Sequence, residues 1–344
     1  MRAIVYDQPG GSDVLQLRDR PVPEPGPGEV RVRVVTSGVN PTDWKSRRNP
    51  YAGTPSDAER VPDQDGAGIV DAVGAGVDPS RVGERVWLWE SAFQRTGGTA
   101  QEYTVVPAGH AVPLPDDASF DLGASLGVPA ITAHRCLTLL EGGPERLAPG
   151  ALDGRTVLVA GGAGAVGNAA IQLARWAGAT VVTTVSGPEK AELAHAAGAH
   201  HVVNYRTEDA ADAVRRIAPD GVDIVVEVAP AQNAELDSAV LATGGSIAIY
   251  ANNGGDTVTL PVRPNMAHNA RWQFVLIYTM PEAARRNAVD GVSAAVADGA
   301  IRVGEEAGLP LHRFPLERTA EAHDAVENGA VGKVLVDVAE AAAR

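Results

Sequence analysis

The segment that most restricts what this chain can fold into runs from residue 156 to residue 167. An apolar, β-branched run, Thr156-Val157-Leu158-Val159-Ala160, leads without a break into Gly161-Gly162-Ala163-Gly164-Ala165-Val166-Gly167. A helix is expected next, because Val166, Ala170, Leu173, Ala174 and Ala177 fall on one helical face. Residues 162–167 fit the pattern G-x-G-x-x-G between strand and helix. Small residues there allow a tight turn, close approach of a pyrophosphate to the backbone, and close packing of helix on strand. The helix start adds free N–H groups and the positive end of the helix dipole. Gly162, Gly164, Ala165, Val166 and Gly167 are thus the candidate cofactor-binding turn of a dinucleotide fold. The rival is a plain glycine turn in a non-binding domain of the same kind.

The rhythm around this turn supports the first reading. Strand candidates begin near Thr156, Val181, His201, Val222, Ser246 and Trp272, with helical patterns between them. Such alternation predicts a doubly wound parallel sheet of Rossmann type in an α/β protein. Earlier in the chain, short apolar runs at 3–6, 30–35, 68–73, 85–88 and 102–106 are separated by Gly and Pro. Val30, Val32 and Val34 alternate with Arg31 and Arg33, the period of a strand with one wet face. A helix at 281–298 and a strand at 333–338 close the sequence. We expect residues 1–127 and 262–344 to form one discontinuous β-rich substrate domain, and residues 128–261 the Rossmann dinucleotide-binding domain.

Composition narrows the partners. Among 344 residues, 29 Lys and Arg face 43 Asp and Glu, for a formal net charge of −14. That balance supplies no basic footprint for nucleic acid. Cys136 is the only cysteine, which excludes an intrachain disulfide and a cysteine-built zinc site. The histidines do not cluster, and His200 and His201 would point to opposite faces of a strand. No metal is expected. The uncharged stretch 156–174 contains four glycines, Asn168 and Gln172, so a buried strand–turn–helix explains it better than a membrane span. With no signal-peptide pattern at the start, the expectation is a soluble cytoplasmic protein without a membrane partner.

The second strand bears on the choice of nicotinamide cofactor. Sites for NAD place Asp or Glu at its end to hold the ribose 2′-hydroxyl. Here Thr180-Val181-Val182-Thr183-Thr184-Val185 ends in Ser186, and Lys190 follows in the next helix. A hydroxyl and a cation suit a 2′-phosphate, and the missing acid favours NADPH. The bland reading of Lys190 is a solvated helix residue.

Beyond these features the chain resembles the zinc-free branch of the medium-chain dehydrogenase/reductase superfamily, the NADPH:quinone oxidoreductases of the zeta-crystallin-like group. The resemblance rests on Pro25-Gly26-Pro27-Gly28-Glu29-Val30, Ser37-Gly38-Val39-Asn40-Pro41-Thr42-Asp43, Asp65-Gly66-Ala67-Gly68-Ile69-Val70 and Gly83-Glu84-Arg85-Val86. Gly98-Thr99-Ala100-Gln101-Glu102-Tyr103, Gly127-Val128-Pro129-Ala130, the glycine turn, Asn204-Tyr205-Arg206 and Gly332-Lys333-Val334 complete it. It implies that the substrate domain is GroES-like, that the protein is a homodimer, and that hydride passes from NADPH to a quinone without metal. It places Asn40, Asp43 and Tyr51 near the nicotinamide as the catalytic set. For the cofactor it implies Thr132, Ser186, Lys190, Tyr205, Val228, Ala229, Tyr250, Asn252 and Lys333 beside the glycine turn. Lys45, Glu227 and Ala251 depart from residues common in the family.

Without zinc, alcohol oxidation lacks its Lewis acid. A quinone or an α,β-unsaturated carbonyl accepts hydride with only a hydrogen-bond donor to the developing oxyanion. Tyr51 or Asn40 could donate. Each also has a bland reading: Asn40 and Asp43 as caps of a helical turn, Tyr51 as a packed aromatic. A non-catalytic NADPH-binding protein on the same fold is the alternative to an enzyme. If it is an enzyme, the chemistry is expected in a cleft between the two domains.

Overall fold

The computed structural model describes residues 1–55 and 58–339. The chain divides into two compact units, one made of Met1–Val128 with Leu311–Arg344 and the other of Pro129–Pro310.

The first unit is built on a seven-stranded sheet. Its long strand Glu29–Val39 pairs antiparallel with Asp65–Val73, with Tyr103–Pro107 and with Lys333–Asp337. Arg85–Leu88 and Ala111–Pro113 extend one side, and Leu311–Pro315 runs parallel to Lys333–Asp337 on the other. The alternation read at 30–34 holds. Val30, Val32 and Val34 are fully buried in the core, while Arg31 turns outward to Asp71 at 3.0 Å. After Val39 the chain enters the helix Pro41–Arg48, with Asn40 as its N-cap and proline at its first position. The terminal helix Thr319–Glu327 packs on this one.

The second unit carries a six-stranded, wholly parallel sheet. Its order is His201–Asn204, Thr180–Val185, Thr156–Ala160, Val222–Glu227, Leu241–Ile249, Arg271–Phe274. Numbered along the chain this is 3-2-1-4-5-6, the doubly wound order. Val157, Leu158 and Val159 sit in its middle and are wholly buried, as the uninterrupted apolar run requires.

One boundary differs from expectation. The chain returns to the first unit at Leu311, not at about 262. Arg271–Phe274 pairs parallel with Leu241–Ile249 as a sixth strand, so residues 262–310, including the helix Glu282–Ala297, stay with the parallel sheet.

Candidate functional site

The glycine turn is the best-defined part of the site. Gly161 leaves the central strand at φ +71°, and Gly164 caps the helix Ala165–Trp176. A Cβ on Gly162 would lie 2.2 Å from Thr183 Oγ1, and one on Gly167 would lie 2.4 Å from the Gly161 carbonyl oxygen. These two glycines therefore serve internal packing. A Cβ on Gly164 would meet nothing closer than 3.5 Å, and Gly161 and Gly164 are both exposed. The first hydrogen bond of the helix runs from Asn168 N to Gly164 O at 2.7 Å. The N–H groups of Ala165, Val166 and Gly167 thus have no intrahelical acceptor, and Ala165 and Val166 are half-buried. An open backbone concavity at a helix start fits a pyrophosphate. The residues present fit a dinucleotide.

The neighbouring strand ends add further candidates. Tyr205 N donates to Val185 O at 3.2 Å, bringing the exposed Tyr205 beside the strand end that carries Ser186. Lys190 lies half-buried in the first turn of the helix Pro188–Ala196. Val228 borders Gly161, since a Cβ there would reach it at 3.3 Å. Tyr250 N bonds Glu227 O at 3.1 Å and Asn253 N bonds Val228 O at 3.1 Å, which draws Val228, Ala229, Tyr250 and Asn252 to one sheet end. Thr132 lies apart from them in sequence, buried in the helix Gly127–Leu137.

Beneath these residues lies an acid pair that the sequence reading did not single out for a role. Glu227 and Asp237 are both buried, and each bears on the other's titration. Burial, then the neighbouring Glu227, pushes Asp237 well above the usual carboxylate range. Glu227 accepts from the Ala229 N–H and from Asn233 Nδ2 at 3.0 Å, fixing the start of the helix Pro230–Val240.

The first unit gathers a different set. Asn40, Asp43 and Lys333 come together there, fully buried, with Asp65 as a member that sequence reasoning left off the site. Lys333 Nζ donates to Asn40 Oδ1 at 2.7 Å and lies 3.5 Å from Asp65 Oδ2. Asn40 Nδ2 donates to Asp65 Oδ2 at 2.7 Å and to Gly38 O at 3.3 Å. The amide hydrogens of Asn40 are thereby committed within the unit, and Lys333 is placed in the unit that lacks the glycine turn. Asp43 accepts from the N–H groups of Asn40 at 2.7 Å and Gln64 at 3.1 Å, which gives it the capping geometry as well. Burial lowers the pKa of Lys333 against the pull of Asp65. Tyr51 stands at the border of this cluster, with its hydroxyl 3.1 Å from Thr42 Oγ1 and its ring edge-on to Phe93.

Comparison with known proteins decides the family. Residues 26–116 match the alcohol dehydrogenase GroES-like domain, and residues 165–294 match the zinc-binding dehydrogenase family. The quinone oxidoreductase of Rattus norvegicus is 30% identical over 342 residues, covering 98% of this chain and 97% of that protein. The chain belongs to the medium-chain dehydrogenase/reductase family. It is an oxidoreductase by that kinship, with the Rossmann and GroES-like domains of the family. A solved NAD-dependent alcohol dehydrogenase superposes with a TM-score of 0.83 at 30% identity, covering 98% of this chain and all of that one. A mycobacterial protein solved in complex with NADPH gives 0.79 at 29% identity, covering 98% and 99%. Among the described residues no group of three or more His, Cys, Asp or Glu could hold a metal ion, although the matched family's description names zinc.

Proposed function

We propose that this chain is a metal-independent, NADPH-dependent reductase that passes hydride to a quinone. The observation that carries the cofactor half is the end of strand Thr180–Val185. Tyr205 lies beside the strand end that carries Ser186, Lys190 stands in the adjoining helix turn, and the strand itself ends without a carboxylate, the next acid in sequence being Glu189 in that helix turn. A 2′-phosphate is attracted by the hydroxyls and the cation, whereas an Asp or Glu at the strand end would repel it. When bound, the nicotinamide supplies the hydride. The protein's share is to hold the pyrophosphate on the first-turn N–H groups of Ala165–Trp176 and to offer a hydroxyl to the oxygen that becomes anionic.

Tyr51 is our candidate for that hydroxyl, because the amide of Asn40 is already committed. A second acceptor class is the α,β-unsaturated carbonyls, whose developing enolate depends more on a donor than a quinone does. The lone cysteine, buried with its thiol pushed up to about 12, supports the metal-free reading.

Oxidation of NADPH with and without 1,4-benzoquinone and a panel of enones tests the proposal. Turnover with either class supports an enzyme, and binding without turnover favours the non-catalytic alternative. Lys190→Ala should weaken NADPH by about 1.5–3 kcal/mol, the scale of a hydrogen bond to a charged group, and leave NADH unchanged. Equal loss for both would remove Lys190 from the phosphate site.

For assembly we propose a homodimer. The strand Arg271–Phe274 is an edge of the six-stranded sheet, and exposed Phe274, Met266 and Val262 lie on or near it. An open edge with apolar side chains invites pairing with a second copy. Phe274→Glu should then lower the mass measured by light scattering to that of a monomer.

A further inference from the structure

The first unit contains a largely enclosed polar cavity of about 20 Å³, bordered by Tyr6, Asp43, Ser46, Tyr51, Arg60 and Asp63. That is room for one water, and the polar partners to hold it are present. Resting on the function proposed above, we propose that Asp43 is the proton reserve behind Tyr51: the proton Tyr51 gives to the reduced acceptor is replaced from the Asp43 carboxyl through one water in this cavity.

The chemistry balances. Hydride from the reduced nicotinamide carries two electrons to the acceptor and leaves an oxygen anion on it. The O–H bond of Tyr51 breaks and a new O–H bond forms at that oxygen. The phenolate takes a proton from the water as the water takes one from Asp43, and solvent recharges Asp43 between turnovers.

The surroundings of Asp43 favour holding a proton. Burial is the largest influence, and Asp63 and Asp65 face the group with like charge. The N–H groups of Asn40 and Gln64, which donate to the two carboxyl oxygens, and the Lys333 ammonium oppose them, and the carboxyl still stands well above its usual range. Tyr6 and Arg60 face the group from the cavity wall, with the Arg60 guanidinium 4.6 Å over the Tyr6 ring. Thr42 holds the Tyr51 hydroxyl beside the same helix turn. Asp43 therefore acts through Tyr51 as a positioning residue for its proton.

Two measurements test this. Infrared difference spectra between the intact protein and Asp43→Asn at neutral pH should contain the C=O stretch of one protonated carboxyl. Absence of that band overturns the proposal whatever the activity. In steady-state assays, kcat of the intact enzyme should fall on the alkaline side as the reserve ionises. Asp43→Asn should lower kcat roughly tenfold, well within the reach of acid–base catalysis, abolish that alkaline limb and leave KM for NADPH unchanged. If Asp43→Asn does not fold, Ser46→Val decides, because it fills the water space while sparing both the carboxyl and the phenol. It should reproduce the tenfold loss and the flat profile. An alkaline limb that persists in the folded variants overturns the relay alone, since turnover itself continues. No turnover of any acceptor by the intact protein overturns the proposed function and the relay with it.

Discussion

Two glycines of the same turn differ in what they lack room for. Thr183, which a Cβ at Gly162 would strike, is buried and its hydroxyl donates to Val159 O at 2.7 Å, so it has no free rotamer to retreat into. Gly162→Ala should destabilise the fold by roughly 1–3 kcal/mol, the usual cost of overpacking. Gly164→Ala makes only van der Waals contact with the Gly161 carbonyl oxygen at 3.5 Å, so it should cost less stability than Gly162→Ala, no more than the loss of a cap, while weakening NADPH binding. Denaturant unfolding set beside fluorescence titration of NADPH distinguishes the two effects. In the sequence these glycines look alike, because a motif records spacing and not what stands opposite each Cα. Asn40 was also legible as a residue of interest, but its partners were not. Asp65 lies 25 positions away and Lys333 lies 293 away, and no local pattern links residues at such distances.

At the scale of elements, the helix Gly127–Leu137 is tied to the loop after it by a buried histidine. Leu147 N donates to His134 Nε2 at 3.1 Å, so the ring must stay unprotonated on that nitrogen. Burial, then Arg135 and Arg146, holds its pKa down to about 3 from the ordinary 6.5. In the window between those values the unfolded chain takes up a proton that the folded chain refuses. The stability contributed is whole above about 6.5 and is lost as pH falls toward 3, by about 1.4 kcal/mol per pH unit while the window lasts. His134→Gln keeps an acceptor for Leu147 and should flatten this acid loss in urea midpoints taken across that pH range. Element identity was readable where periodicity was strong: the central strand, the helix after the glycine turn and the long helix near 282 lie where the sequence puts them. The second domain boundary was not readable. The alternation counted a strand near Trp272, but Arg271–Phe274 is short and mostly exposed, so it marks the end of the parallel-sheet unit only weakly.

For the molecule as a whole, the single cysteine and the dispersed histidines bear on what survives chelation. Preincubation with phenanthroline or EDTA should leave NADPH oxidation unchanged. Loss of activity that added zinc restores would refute the metal-independent reading. The whole-molecule plan also has a consequence in time. Strand Glu29–Val39 has Lys333–Asp337 as one neighbour, and the helix that follows it is held by the terminal helix through Arg47 and Glu327, 3.6 Å apart, and through Arg47 and His323. A ribosome adding about 5–20 residues per second delivers His323 only 276 residues after Arg47. The early segment is thus completed after the parallel-sheet unit has all its strands, and until then the 36–39 end of its longest strand lacks one neighbour. A nascent chain stalled near residue 310 would present that edge to chaperones or to the same edge on a neighbouring chain.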